Sequence, residues 1–220
     1  MKRTPIAIVT MLAVLLIGAM PVAAQDDEMA PATQMSVTGA FAFPTTTWGG
    51  QPIAGSSSSY IAYEEGVSAT FATTGLEPGH VVTMWWVVFN HPELCTNGEG
   101  GLRCGEPDLL IFGGDEAIEG TVLTAAAHIV GPDGSGHFGS YLATGDTSRV
   151  LLAGPGLTDP LGADVHLVLR DHGPVQDGLF AAALGSYGGG CIEAPEGSGT
   201  LGDFACVDVQ FTAHEPTLGS

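Results

Sequence analysis

From Met35 onward, short runs rich in Val, Phe, Tyr, Thr and Trp alternate with Gly, Pro and Asp turns, the pattern of an all-β domain. It predicts strands over Ser36–Phe43, Tyr60–Tyr63, Val67–Thr73, Val81–Phe89, Gly120–Val130, His137–Ala143, Arg149–Leu152, Asp164–Arg170 and Val207–Ala213. Val81–Phe89 is apolar on both faces: Val81, Trp85, Val87 and Phe89 share one side, and Val82, Met84, Trp86 and Val88 the other. A strand with one wet face alternates, so this run belongs in the middle of the fold, covered on both sides, its adjacent indoles pointing apart. Two other runs do alternate. Val165, Leu167 and Leu169 are expected to face the core, with Asp164, His166 and Arg170 outward; in the last strand Val207, Val209, Phe211 and Ala213 face in, with Asp208, Gln210, Thr212 and His214 outward. Only Asp177–Ser186 has a helical character, from its Ala-rich centre. The expected fold is an antiparallel β-sandwich with Gly-rich loops and at most one short helix, forming a single domain over 35–216 with a tail at 217–220.

The chain start changes the setting. Lys2 and Arg3 precede an apolar run, Ile6 to Met20, and then the small residues Val22 and Ala24, which reads as a signal peptide over 1–24. The run is about 15 residues, short of the ~20 that span a bilayer. An acidic lead-in at 25–34, without periodicity, is expected to follow. Cleavage would leave Arg103, Arg149 and Arg170 against 24 acidic residues, and no lysine. Schiff-base catalysis and a phosphate-loop lysine are thereby excluded. Nucleic acid is a poor partner, since its binding needs a cationic surface, and no membrane insertion is expected after cleavage. The expected location is secreted, periplasmic or in the cell envelope.

Four cysteines in an exported chain favour two disulfides. Four allow three connectivities; the local pairs Cys95–Cys104 and Cys191–Cys206 are favoured, because each joins the ends of one Gly-rich loop. No Cys-x-x-Cys pair is present to grip zinc. The Gly-x-Gly-x-x-Gly spacings at Gly134 and Gly197 lack the strand-to-helix setting of dinucleotide binding, and no Gly-x-Ser-x-Gly elbow occurs. The chemistry that remains lies in seven histidines. His128, His137, His166 and His172 are the candidate ligands of a transition metal (zinc or copper), and with Arg170 they are the candidate binding residues. Whether His128 and His137 are neighbours turns on a one-residue choice of strand register. The competing reading has each histidine bonded to a carbonyl or a carboxylate, and Arg170 paired with Asp171 or Asp164. An exposed Trp48, Trp85 or Trp86 beside acidic groups would point to a carbohydrate.

The block from Ala69 to Pro216 resembles a group of uncharacterised exported bacterial β-domain proteins. The likeness rests on Thr74-Gly75-Leu76-Glu77-Pro78-Gly79-His80, Trp85-Trp86-Val87-Val88-Phe89-Asn90, Cys104-Gly105-Glu106 and Val165 through Pro174. Ala126-Ala127-His128-Ile129-Val130-Gly131-Pro132 followed by Gly136 is distantly similar to the chordin-repeat (CHRD) domain, an extracellular β module whose pattern has a second histidine where this chain has Val130. These resemblances imply an exported fold more than an activity. The function expected is a disulfide-stapled extracellular or cell-envelope binding or structural module without catalysis, meeting a protein or glycan partner and needing no cofactor. The alternative is a metal-binding redox or hydrolytic protein built on the histidines.

Overall fold

The computed structural model describes residues 34–42, 51–98, 100–152, 154–192 and 202–216. The expected signal peptide, the expected lead-in up to residue 33, Phe43, Trp48, Gly197 and the expected tail lie outside these residues. Nine strands are present among the described residues: β1 (Gln34–Ala42), β2 (Gln51–Tyr63), β3 (Gly66–Thr73), β4 (His80–Phe89), β5 (Gly120–Ile129), β6 (Gly136–Ala143), β7 (Val150–Leu152), β8 (Asp164–Pro174) and β9 (Val207–His214). They form one antiparallel sheet in the order β6-β3-β2-β1-β9-β8-β4-β5-β7. The all-β expectation holds. Its two layers are two halves of this one sheet, which curls into a half-barrel until β6 comes back against β5.

β4 takes the central role its composition foretold, and every residue from Val81 to Phe89 is buried. Val82, Met84, Trp86 and Val88 point into the barrel, where they join a cluster with Phe71 from β3, Leu142 from β6, and Val165, Leu167 and Leu169 from β8. Trp85, Val87 and Phe89 point outward into a second cluster with Leu109, Ile118, Val122, Val168 and Phe211. That outer layer is a long connection between β4 and β5, folded through four 3-10 turns and stapled by Cys95–Cys104. α1 (Phe180–Gly185), shorter than the span expected, and the Cys191–Cys206 disulfide close the outer face at the end of β8. Both local cysteine pairings are therefore present.

Two strands differ from their expected polarity. In β9, Gln210, Thr212 and His214 are buried inside the barrel rather than facing water. In β8, Asp164 and His166 are fully buried on the outer face, because the second cluster covers it. β2 is also much longer than expected. The expected strand began at Tyr60, yet β1 and β3 also pair with Ser57, Ser58 and Ser59 on either side. The inward hydroxyls of Ser56 and Ser58 can be buried because β3 and β9 supply polar partners.

Candidate functional site: an aromatic and acidic cleft on the outer face

Adjacent outward positions of β4, β5 and β8 place Trp85, Val87, Val122 and Val168 side by side as an apolar floor. Leu109 and Phe112 form one wall, Tyr187 another, and Glu106 and Asp208 add carboxylates to the lining; the cleft is shallow, its roughly 340 Å³ of empty space including open solvent at the mouth. The Leu109 wall is held by its own polar frame. Asp108, buried, accepts hydrogen bonds from the backbone N–H of Thr96 (3.1 Å) and Gly105 (2.9 Å) and from Asn97 Nδ2 (2.7 Å). With Cys95–Cys104 this fixes a loop that has little regular structure. Leu110, Ile111 and Phe112 then stand about half exposed at the rim.

Arg170 is the charged centre of the site. Its guanidinium carbon lies 5.2 Å from the Trp85 ring centroid and 4.8 Å from that of Tyr187, and the two rings stack at 5.1 Å. Arg170 Nη1 donates to Asp208 Oδ1 at 2.9 Å. Asp208 sits directly opposite Arg170 across the β8–β9 pairing, so the ion pair is cross-strand and not with Asp171 or Asp164 as the sequence suggested. Burial pushes the Asp208 carboxyl above its ordinary range, while Arg170 pulls it back down. Burial likewise raises the Tyr187 phenol, against a lowering by Arg170. Arg170 Nε is buried and has no hydrogen-bond partner among the described residues.

The four candidate metal histidines are dispersed. β5 and β6 do not pair with each other, so neither register considered for His128 and His137 exists; β6 pairs with β3, and His137 lies opposite Ala72. His128 packs edge-on against Phe138, and His137 is exposed on the other face. His166 is buried with Asp164, Nε2 to Oδ1 at 3.1 Å, and edge-on to Phe89. His172 Nδ1 lies 2.7 Å from the Gly189 carbonyl, and Nε2 lies 2.9 Å from the Thr83 hydroxyl. These contacts suit a neutral ring that donates through Nδ1 and accepts at Nε2. Burial lowers the His172 pKa, which favours that neutral form. The side chain ties β8 to the Gly188–Gly190 segment just after Tyr187. Among the described residues, the groups close enough to share an ion are His172 with Cys191 and Cys206, and Asp108 with Cys95 and Cys104. In both, the two sulfurs are already joined to each other.

Of the candidate binding residues, then, only Arg170 is tied to the cleft, through its contacts with the lining residues Trp85, Tyr187 and Asp208. Sequence reasoning missed Glu106, Phe112 and Tyr187. A signal existed for one of them: Leu110-Ile111-Phe112 is an apolar triplet followed by Gly113-Gly114 in an otherwise acidic connection. His80 and His214 were also passed over. His80 Nδ1 pairs with Asp171 Oδ2 at 2.9 Å. His214 bridges the hydroxyls of Ser36 (2.6 Å) and Ser58 (2.7 Å) inside the barrel and stacks on Tyr60. Comparison of the chain with protein-family models, with curated proteins and with solved structures gave no match.

Proposed function

We propose that this chain is an exported, disulfide-stapled binding module of the extracellular space or cell envelope, without catalytic activity of its own. The observation that carries the reading is the cleft. Its floor and walls are mostly apolar and aromatic, its rim is acidic, and its cation, Arg170, is already engaged by Asp208 and two rings. Such a site suits a small ligand or a partner side chain with an apolar body and a hydrogen-bond donor at one end, which the Glu106 and Asp208 carboxylates would accept. Rigid support fits binding as well, since a pre-formed wall loses little freedom when it is occupied. Export is supported by the two disulfides and by the signal-like leader. No helix among the described residues is long and apolar enough to cross a membrane.

The test is a fragment screen by nuclear magnetic resonance on the oxidised protein, with backbone shifts mapped onto the chain. Hits should perturb Trp85, Leu109, Phe112 and Tyr187 together, and Phe112→Ser, a change at a half-exposed side chain, should weaken them. Hits scattered away from these residues, or indifferent to Phe112→Ser, would sink the proposal. Export is checked separately by secretion of the full chain against one starting at Gln25.

A further inference from the structure

The outer face of the half-barrel has two unlike halves. Over β9, β8, β4 and β5 it is covered by the stapled connection and α1. Over β1, β2, β3 and β6 much of it is open: Met35 is 67% exposed, Val37 70% and Tyr141 48%, and Ser57, Thr70, His137 and Gly139 are exposed as well. These four neighbouring strands, of 9, 13, 8 and 8 residues, contain no Asp, Glu, Lys or Arg. In a chain with 24 acidic residues, an uncharged open sheet is the exception; outward strand positions ordinarily carry charge to keep the face soluble and unpaired.

We propose that this open outer face is a docking surface for an uncharged, hydroxyl-rich polymer, a neutral polysaccharide in chemical class. This goes beyond the cleft and does not depend on it. The register aligns outward side chains into rows across the strands, such as Val37, Ser59, Thr70 and Gly139. Rows recur every ~6.8 Å along a strand and columns every ~4.8 Å across the sheet, so four by four positions cover roughly 500 Å². The hydroxyls are pre-oriented: Ser59 Oγ and Thr70 Oγ1 lie 2.7 Å apart, and the Tyr141 hydroxyl donates to the Glu65 carbonyl at 3.2 Å, which holds its ring in place. Glycine at 139 leaves the row level.

Charge and size choose the occupant. A cationic polymer finds no counter-charge on these four strands and many elsewhere on the chain. An anionic one is repelled by the whole molecule. A second copy is disfavoured by size: a stable dimer needs about 800 Å² from each partner, more than the roughly 500 Å² of this face. A polyol instead exchanges hydrogen bonds with the hydroxyls and lays its sugar faces on the tyrosine ring.

The experiment is sedimentation of the oxidised protein with insoluble cellulose and chitin as neutral matrices, and with a cationic and an anionic resin as controls, at low and at molar salt. The expected result is depletion by at least one neutral matrix that persists at high salt and falls about tenfold in Thr70→Asp and Ser57→Asp. Both positions are exposed, and unchanged circular dichroism shows that the fold is kept. Phe112→Ser should bind the matrix normally, which separates this surface from the cleft. Absence of depletion by both neutral matrices, or depletion that the two variants leave intact, overturns the proposal. So does a dimer in sedimentation velocity that Thr70→Asp dissociates, which would assign the face to a second copy.

Discussion

Acid should weaken this fold through His214 before its carboxylates are protonated. The imidazole is buried, wedged between two serine hydroxyls and the Tyr60 ring, so burial drives its pKa from 6.5 down to about 4, helped by His166 and opposed by Asp164. The unfolded chain therefore binds a proton between about pH 6.5 and pH 4 that the folded chain refuses. Stability rises with pH wherever the unfolded state holds more protons, so it falls on acidification through this window. At 1.36 kcal/mol per pH unit, the full loss is about 3 kcal/mol, of which about 2 has gone by pH 5. The variant His214→Gln keeps a donor and an acceptor but cannot titrate. Urea denaturation at pH 7 and at pH 4.5 reads both proteins. The variant should be less stable than the parent at pH 7 by about 1 kcal/mol, for an imperfectly replaced hydrogen bond. Toward pH 4.5 the gap should close and then reverse, since the parent alone carries the imidazole penalty. Equal slopes in the two proteins would refute the assignment of the acid sensitivity to His214.

Further outcomes follow from other parts of the structure. Replacing Cys95 and Cys104 together by serine should cost about 2–3 kcal/mol by the chain-entropy relation and loosen the Leu109 wall, read as a drop in melting temperature with new hydrogen exchange across the loop. Gly173 has φ +81° and sits where a Cβ would come within 2.3 Å of the Phe204 ring, so Gly173→Ala should cost about 1 kcal/mol or more by thermal denaturation; an unchanged midpoint would contradict the packing. Trp86 Nε1 is buried without a hydrogen-bond partner among the described residues, so Trp86→Phe should cost clearly less than the ~3–5 kcal/mol of a tryptophan truncated to alanine. Denaturant titration of both variants compares the two losses. Asp208→Asn should weaken the hold on Arg170 and shift Trp85 fluorescence, without altering the far-ultraviolet spectrum.

Reading the chain found each of the nine strands among the described residues but not their surroundings. Val81–Phe89 announced a doubly covered strand because every residue in it but Thr83 is apolar, on both faces. The Ser56–Ser59 stretch hid a strand because a serine hydroxyl is at home in a loop, and only neighbouring strands with polar groups make it suitable for burial. His214 and Gln210 were expected to face water for the same reason. Their partners, Ser36, Ser58 and Thr73, lie more than a hundred residues away. The cleft was legible only in pieces, since Glu106, Arg170, Tyr187 and Asp208 belong to separate segments.

Local order in the sequence was enough to give the all-β class, the extent of most strands and the central place of the twin tryptophans, and to favour the pairing of cysteines across short glycine-rich loops. Each depends on side chains alternating along a strand or on ends already close in the chain. Which face of β8 and β9 is dry, which histidines meet, and which half of the outer sheet stays open were decided by strand order and curl. Alternation separates two faces without saying what covers them; that depends on contacts between distant segments, which exist only once the sheet has closed on itself.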